Sequence, residues 1–228
     1  EPRWTLDGDL IHVDDSSGWA NLYRTQGFVW HEGEDLNAWT SRLRTRALHP
    51  GPRAFSHPHW QLGLHSYDNY DNDYLVCSWA EDQVWHIGTV RIDNGMAEEW
   101  ATGWWPIGNV AAADGRVVFL ADSATHTPAI IEVSRGKTKV LRPSSEAEVP
   151  TALVSTAEML TWKTSDGEEA HGFYYAPVNP EFAAPEGELP PLIVNVHGGP
   201  TEAARPGLQV PFQYWTSRGF AVLDVNFR

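Results

Sequence analysis

The chain has 228 residues, of which 42% are hydrophobic and 20% are charged. This is enough apolar material for the core of one large domain or two small ones, and it excludes a largely disordered chain. The 30 acidic and 16 basic side chains give a net charge of −14. That charge argues against nucleic acid or an anionic membrane surface as a partner, because both require a cationic surface.

The apolar runs and the cysteine content restrict the location of the protein. The longest apolar runs, such as residues 192–196, are far too short to cross a bilayer as a helix. The single cysteine, Cys77, excludes an internal disulfide framework and fits a reducing compartment, so we expect a cytoplasmic protein. The sequence begins at Glu1 without a secretory signal and inside an apparent structural repeat, so we expect a fragment of a longer polypeptide.

Residues 1–150 show short strands and turns but no long helical period. Short strands with regularly spaced turns are typical of a sandwich, a barrel or a propeller. Ten of the twelve tryptophans lie in this part, which supports a boundary near residue 150. The predicted strands are residues 10–13, 21–24, 75–79, 84–92, 117–120, 130–133 and 138–141.

A loose internal repeat favours the propeller among these folds. Pro2-Arg3-Trp4 is followed 56 residues later by Pro58-His59-Trp60, and the turn Asp7-Gly8 recurs 107 residues later as Asp114-Gly115. A period near 50 residues with four short strands per unit is typical of propeller blades. We therefore predict that residues 1–150 form a partial β-propeller of about three blades.

Residues 151–228 follow a different pattern, which predicts an α/β sheet. Residues 159–163 and 170–175 are predicted to form a hairpin around a Ser-Asp-Gly turn. The run 192–196 is apolar except for Asn195, and such a run is typical of a strand covered on both faces. Residues 220–225 are predicted to form a second buried strand.

A short helix is predicted between these two strands, over residues 208–217. Leu208, Phe212 and Trp215 would lie on one side of it, and Gly219 would end it. A strand, a helix and a second strand in succession form a βαβ unit, which places residues 151–228 in an α/β sheet.

The most informative motif is His197-Gly198-Gly199-Pro200-Thr201, directly after the apolar strand. Ligands of open α/β sheets bind at the carboxyl ends of the strands. Two adjacent glycines allow a backbone N–H to approach a ligand closely. In α/β-hydrolases the equivalent loop supplies an N–H to the oxyanion hole, where a rigid donor stabilises the charge that develops on the substrate carbonyl. The alternative is a tight turn without function.

The segment from Met159 to Arg228 resembles the start of the hydrolase domain of the prolyl oligopeptidase family of serine peptidases. The resemblance is nearest to bacterial dipeptidyl aminopeptidases and acylaminoacyl peptidases, and it implies a β-propeller followed by the N-terminal part of an α/β-hydrolase domain. Residues 1–150 resemble the last blades of such a propeller, and residues 151–228 the truncated hydrolase part. The matching stretches are 162–167, 171–177, 191–201 and 214–228.

The resemblance also assigns roles to the glycine motif. Gly198 and Gly199 match the oxyanion loop, with the Gly199 N–H as the expected donor, and His197 and Pro200 match positions that support it. The catalytic serine of the family lies in a Gly-x-Ser-x-Gly turn, which does not occur in these 228 residues. All three triad residues are therefore expected after Arg228, and the chain alone is expected to be inactive.

Other candidate sites have weaker patterns. His57-Pro58-His59 lacks the further ligands that zinc requires, so we predict no metal and no cofactor. Polar loop histidines are the simpler interpretation. Trp104 and Trp105, beside Trp100, could form a ligand surface, but core packing between sheets is the more common role of such clusters.

The sequence therefore predicts part of a serine peptidase that hydrolyses short peptides through an acyl-enzyme. Its expected partners are a short peptide substrate and the remainder of the same polypeptide, with a homo-oligomer possible and no nucleic acid or membrane. Two alternatives remain open. One is a non-catalytic propeller module for protein interaction with a degenerate hydrolase remnant, and the other is an esterase of the same fold. A Gly-x-Ser-x-Gly turn beyond Arg228 would distinguish the peptidase from the module.

Overall fold

The computed structural model describes residues 1–58, 60–146, 148–199 and 201–226. The chain divides into two compact units. The first unit comprises Glu1–Leu120 and Ile131–Val140, and the second comprises Ala121–Ile130 and Leu141–Arg228. The domain boundary near residue 150 stays a prediction. None of the helices in the described ranges is long and apolar enough to cross a membrane.

The first sheet has four antiparallel strands in sequential order. A short helix, α1 (Leu36–Thr40), lies between its last two strands, and the Asp35 carboxylate caps it by accepting a hydrogen bond from the Ala38 N–H at 2.8 Å. The strands are β1 (Arg3–Trp4), β2 (Leu10–Asp14), β3 (Asn21–Gln26) and β4 (Arg44–Ala47).

The second and third sheets repeat this sequential order. Three four-stranded sheets of this kind confirm the predicted propeller-like β architecture. The second sheet contains β5 (Tyr67–Asn69), β6 (Tyr74–Glu81), β7 (Val84–Arg91) and β8 (Ala97–Glu99). The third contains β9 (Trp105–Ala113), β10 (Arg116–Asp122), β11 (Ala129–Ser134) and β12 (Lys137–Pro143).

The main core of the first unit lies between the first two sheets. It forms because alternate residues of each strand point to the same face, so apolar side chains at every second position meet there. The buried members of this core are Ile11, Leu22, Leu48, Phe55, Tyr67, Leu75, Cys77, Trp79, Val90 and Ile92.

The internal repeat is only partly confirmed. Asp7-Gly8 joins β1 to β2 and Asp114-Gly115 joins β9 to β10, so the two turns are equivalent. Gly8 and Gly115 have φ values of +86° and +71°, which glycine adopts without strain. The second copy of the Pro-x-Trp motif does not mark an equivalent strand, because Trp60 precedes β5 instead of lying on it. His59 lies outside the described residues.

The fourth sheet contains the predicted hairpin and the predicted βαβ unit. Its strand order is β13-β14-β16-β15, and only the pairing of β15 with β16 is parallel. A short 3₁₀ turn, Thr151–Leu153, precedes the sheet. The elements are β13 (Glu158–Lys163), β14 (Glu169–Tyr175), β15 (Leu192–Val196), α2 (Val210–Thr216) and β16 (Ala221–Asn226).

The C-terminal end of α2 is as predicted. Gly219 has φ +88°, and the next residue, Phe220, donates its N–H to the Trp215 carbonyl at 3.2 Å. This reversed turn satisfies a helix carbonyl and leads the chain into β16.

The prediction of a strand covered on both faces at residues 192–196 was wrong for this chain. Strand β15 lies at the edge of the sheet, and Leu192, Val194 and Val196 are 53%, 55% and 59% exposed. An apolar sequence alone does not bury a strand, because burial needs a neighbouring layer on each face. In the described residues β15 is paired with β16 alone.

The predicted apolar face of α2 was wrong in part. Leu208 is buried and Phe212 packs against the core formed by Phe173, Tyr175, Ala204 and Val222, but Trp215 lies outside this core and is 40% exposed. A polar residue takes the buried position instead. The Gln213 side chain accepts a hydrogen bond from the Ser155 N–H at 2.7 Å and donates one to the Ser155 carbonyl at 3.0 Å.

Candidate active-site loop

The glycine motif lies where the sequence places it, after the carboxyl end of β15. Because β15 and β16 are parallel, their carboxyl ends lie at the same edge of the sheet. Gly198 and Gly199 are exposed, and nothing lies within 4 Å of the position that a Cβ atom of Gly198 would occupy. Gly199 has φ +72°, a conformation that favours glycine. The loop therefore presents accessible backbone at this edge.

Of the two residues predicted to support the loop, His197 and Pro200, only His197 is among the described residues. His197 is half-buried, and its Nδ1 lies 3.2 Å from the Gly198 carbonyl oxygen, so the imidazole contacts the loop itself. Pro200 lies outside the described residues. The role of the Gly199 N–H as an oxyanion donor stays a prediction.

Side-chain amides make hydrogen bonds near the carboxyl ends of β15 and β16. Asn195 donates from Nδ2 to the Asp224 carboxylate at 2.6 Å, and the Asn226 side-chain oxygen accepts the Ala204 N–H at 2.7 Å. Burial raises the pKa of Asp224, against the opposing effects of the Asn195 hydrogen bond, His197 and Arg205. Both ends of the loop are thus hydrogen-bonded to the same strand.

A second buried carboxylate lies beside the segment that follows the loop. Asp122 is almost fully buried, and its Oδ2 lies 3.4 Å from Nη1 of Arg205, which is partly exposed. Burial raises the pKa of Asp122, and the charge of Arg205 opposes that shift. Burial likewise raises the pKa of Tyr175, with the charges of Asp224 and Asp122 adding to the effect. An ionised carboxylate at such a position depends on its cation.

These residues can supply backbone donors to a substrate carbonyl, but not a nucleophile. Gly-x-Ser-x-Gly is missing from the 228 residues, as the sequence showed. In the described ranges, no three His, Cys, Asp or Glu side chains are grouped so as to hold a metal. His57 lies in a loop, as predicted, but it is buried and stacks on Trp85 at 4.1 Å between ring centroids.

Two cavities lie away from the glycine loop. One of about 840 Å³ lies in the second unit beside the C-terminal end of α2, where Pro177, Phe182 and Arg218 contribute to its wall. Another of about 330 Å³ lies in the first unit and is lined by Tyr70 and Trp100, among others. Trp100 is therefore half-buried at a cavity wall and not fully enclosed in the core.

The fold resembles that of peptide-hydrolysing enzymes. Three solved structures align with 99% of the chain. One is a puromycin hydrolase mutant complexed with PGG, with 26% identity and a TM-score of 0.85. Another is a puromycin-hydrolyzing peptidase of Mycobacterium tuberculosis, with 28% identity and a TM-score of 0.85. A third is puromycin hydrolase, with 26% identity and a TM-score of 0.84.

The alignment covers 32%, 33% and 32% of those three chains, so this chain spans about a third of their length. No family model matches the chain. No curated protein matches it either. The similarity therefore rests on the solved structures, which support a peptidase-related segment.

Sequence reasoning missed Asp122, Arg205 and Asn226. Asn226 could have been found, because it ends the second of two parallel strands whose carboxyl ends must meet. Asp122 and Arg205 are 83 residues apart in sequence, and no spacing rule brings a carboxylate at the end of one sheet's strand to a loop of another.

Proposed function

We propose that the chain is a segment of a serine peptidase of the prolyl oligopeptidase family that hydrolyses short peptides through an acyl-enzyme. In this proposal the first three sheets belong to a β-propeller that limits substrate size, and the fourth sheet begins an α/β-hydrolase domain. The observation that carries the proposal is the similarity, over 99% of the chain, to enzymes named as puromycin hydrolases and a puromycin-hydrolyzing peptidase.

The glycine loop is the part of the chain that would take part directly in the reaction. The Gly199 N–H would hold the oxyanion of the tetrahedral intermediate, Gly198 would let the substrate approach, and His197 and Pro200 would support the loop. This role needs a donor that is fixed before the charge develops. The exposed backbone at the carboxyl edge of β15 and β16 supports it.

The serine, aspartate and histidine of the triad would come from the remainder of the polypeptide, which is the partner we propose for this segment. The substrate would be a short peptide, with no metal and no cofactor. The single buried cysteine, Cys77, is the basis for expecting a cytoplasmic location. An esterase is the second candidate function, because an oxyanion loop serves any acyl transfer.

The test is to determine the coding sequence beyond Arg228 and to assay both products. The proposal expects a Gly-x-Ser-x-Gly turn there, hydrolysis of aminoacyl or peptidyl anilides by the longer polypeptide, and labelling of it by a fluorophosphonate serine probe. The 228-residue chain should show neither. Stoichiometric labelling of the short chain, or a stop codon directly after Arg228, would contradict the proposal, and hydrolysis of esters without peptides would favour the esterase.

A further inference from the structure

The segment Thr201–Leu208, which follows the glycine loop, is held by hydrogen bonds at three points. The Ala204 N–H donates to the Asn226 side chain at 2.7 Å, and the Leu208 N–H donates to the Ser123 carbonyl at 2.8 Å. Between them, the buried Tyr175 hydroxyl lies 3.3 Å from the carbonyl oxygens of both Arg205 and Gly207. The downstream end of the loop therefore has a defined place in the second unit.

An ion pair at the middle of the same segment adds a charged contact. Asp122 has a side chain that is 3% exposed, and its Oδ2 faces Nη1 of Arg205 at 3.4 Å. No hydrogen-bond donor reaches that oxygen within the part of the chain that the structure describes. The contact is therefore one between charges, and Arg205 is the cation that offsets the cost of burying this carboxylate.

Gly207 allows the carboxylate and the segment to lie this close together. A Cβ atom on Gly207 would lie 2.7 Å from both Cβ and Cγ of Asp122, nearer than such atoms approach. The backbone at Gly207 is not in the left-handed region. Glycine is needed here for space, which fits a segment packed directly onto the aspartate.

We propose that Asp122 and Arg205 are positioning residues for the Gly198–Gly199 loop, an inference that rests on the proposed function. The upstream end of the loop is fixed by the pairing of β15 with β16 and by the bond between Asn195 and Asp224. The ion pair fixes the downstream end. With both ends held, the Gly199 N–H keeps one direction before the substrate arrives, as an oxyanion donor requires.

The first experiment measures amide hydrogen exchange in the chain itself, so it does not depend on activity. In Asp122→Asn and in Arg205→Gln, exchange at the Ala204 and Leu208 amides should be about tenfold faster or more, because opening of this segment costs less. The Ser155 amide, which is bonded to Gln213 in the same unit, should keep its rate. The matched control is Glu169→Gln, which removes the partner of Lys163 in an exposed pair of this unit.

Unchanged exchange at Ala204 and Leu208 would overturn the positioning role, whatever the activity of the longer polypeptide. A uniform increase at all amides of the unit, Ser155 included, would also overturn it, because that result would show general destabilisation.

The second experiment measures kinetics in the longer polypeptide that carries the triad. Each variant should lower kcat by about 10- to 100-fold with KM nearly unchanged, as expected from small displacements of a catalytic group. The double variant should be no slower than the slower single variant, because both remove one contact, and Arg205→Lys should restore part of kcat. Additive losses, or a change in KM alone, would refute positioning. A wild-type polypeptide without hydrolysis would reject the proposed function, while the exchange result would still decide the role of the ion pair.

Discussion

The second and fourth sheets contain similarly apolar strands but bury them to very different extents. Leu75 lies on β6, which is paired with β5 and β7, and it is fully buried. Leu192 begins β15 at the edge of the fourth sheet and is 53% exposed. An apolar run therefore predicts that a strand forms, whereas its burial depends on the strands and layers that pack against it.

The largest predicted effect is on kcat, and it compares two glycines of similar backbone conformation, one in each unit. Gly199 has φ +72° in the proposed oxyanion loop, and Gly18 has φ +87° in an exposed turn of the first unit. Alanine disfavours this conformation, so Gly199→Ala should turn the peptide away and lower kcat of the longer polypeptide by about 10²–10³. Steady-state kinetics should show no such loss for Gly18→Ala. Equal kcat values for the two variants would remove Gly199 from the mechanism.

The next largest effect is on the free energy of unfolding, and it compares the substitution of leucine by alanine in the second and fourth sheets. Leu75→Ala should lower the free energy of unfolding by about 2–5 kcal/mol, because it leaves a cavity in a closed core. Leu192→Ala should change it by less than about 0.5 kcal/mol in the 228-residue chain, because the side chain is largely exposed. Urea unfolding of both variants under one set of conditions checks this. A large loss for Leu192→Ala would mean that β15 is covered in solution.

The sequence predicted seven of the first twelve strands, but it did not predict the short or outer strands β1, β4, β5, β8 and β9 or the side chains that fix the loop. Local signals such as Asp7-Gly8 and Gly219 specify turns and helix ends, because they depend only on backbone conformation. The place of Gly198 and Gly199 followed from the βαβ pattern. The contact between Asp122 and Arg205 depends on how distant segments pack, which no local pattern contains.

We also expect the two units to respond differently to pH. Burial raises the pKa of Asp122 and of Asp224 in the second unit, whereas hydrogen bonds from Ser16 lower the pKa of the exposed Asp14 in the first. A raised folded-state pKa gives stability that is present below the ordinary value of 3.8 and is lost as the pH rises through the raised pKa. The contribution of Asp14 has the opposite sign, because it is lost as the pH falls.

Stability of the second unit should therefore decline as the pH rises above about 4, by at most about 1.4 kcal/mol per pH unit for each aspartate. Asp122→Asn and Asp224→Asn should each flatten this decline. This decline can be measured by urea unfolding at several pH values between 4 and 7, with hydrogen exchange of amides in residues 155–226 as the readout for the second unit. If the free energy of unfolding fell equally steeply with pH in both variants and in the wild type, ionisation of these carboxylates would not destabilise the second unit.

A charged residue on β15, the strand at the edge of the fourth sheet, should also change the free energy of unfolding only slightly. The N–H and C=O groups on the outer side of an edge strand can pair with another chain, so we expect the 228-residue chain to self-associate at low micromolar concentration. Val194→Lys should alter the free energy of unfolding by only about 0.5 kcal/mol, yet raise the monomer fraction in light scattering. A monodisperse wild-type monomer with a cooperative melt would show that this edge is capped.

The buried amide of Gln213 has a consequence for how α2 is placed. Its side chain makes the same pair of hydrogen bonds to Ser155 that a peptide group would make, because Oε1 accepts the Ser155 N–H and Nε2 donates to the Ser155 carbonyl. The glutamine thus pairs with Ser155 as a neighbouring strand would. Because Ser155 lies just before the fourth sheet, these two bonds fix the position of α2 relative to that part of the chain. Leucine at this position would add apolar contact but leave the buried N–H and C=O groups of Ser155 without these partners. The helix would then still pack through its apolar side chains, but nothing would fix its position relative to Ser155.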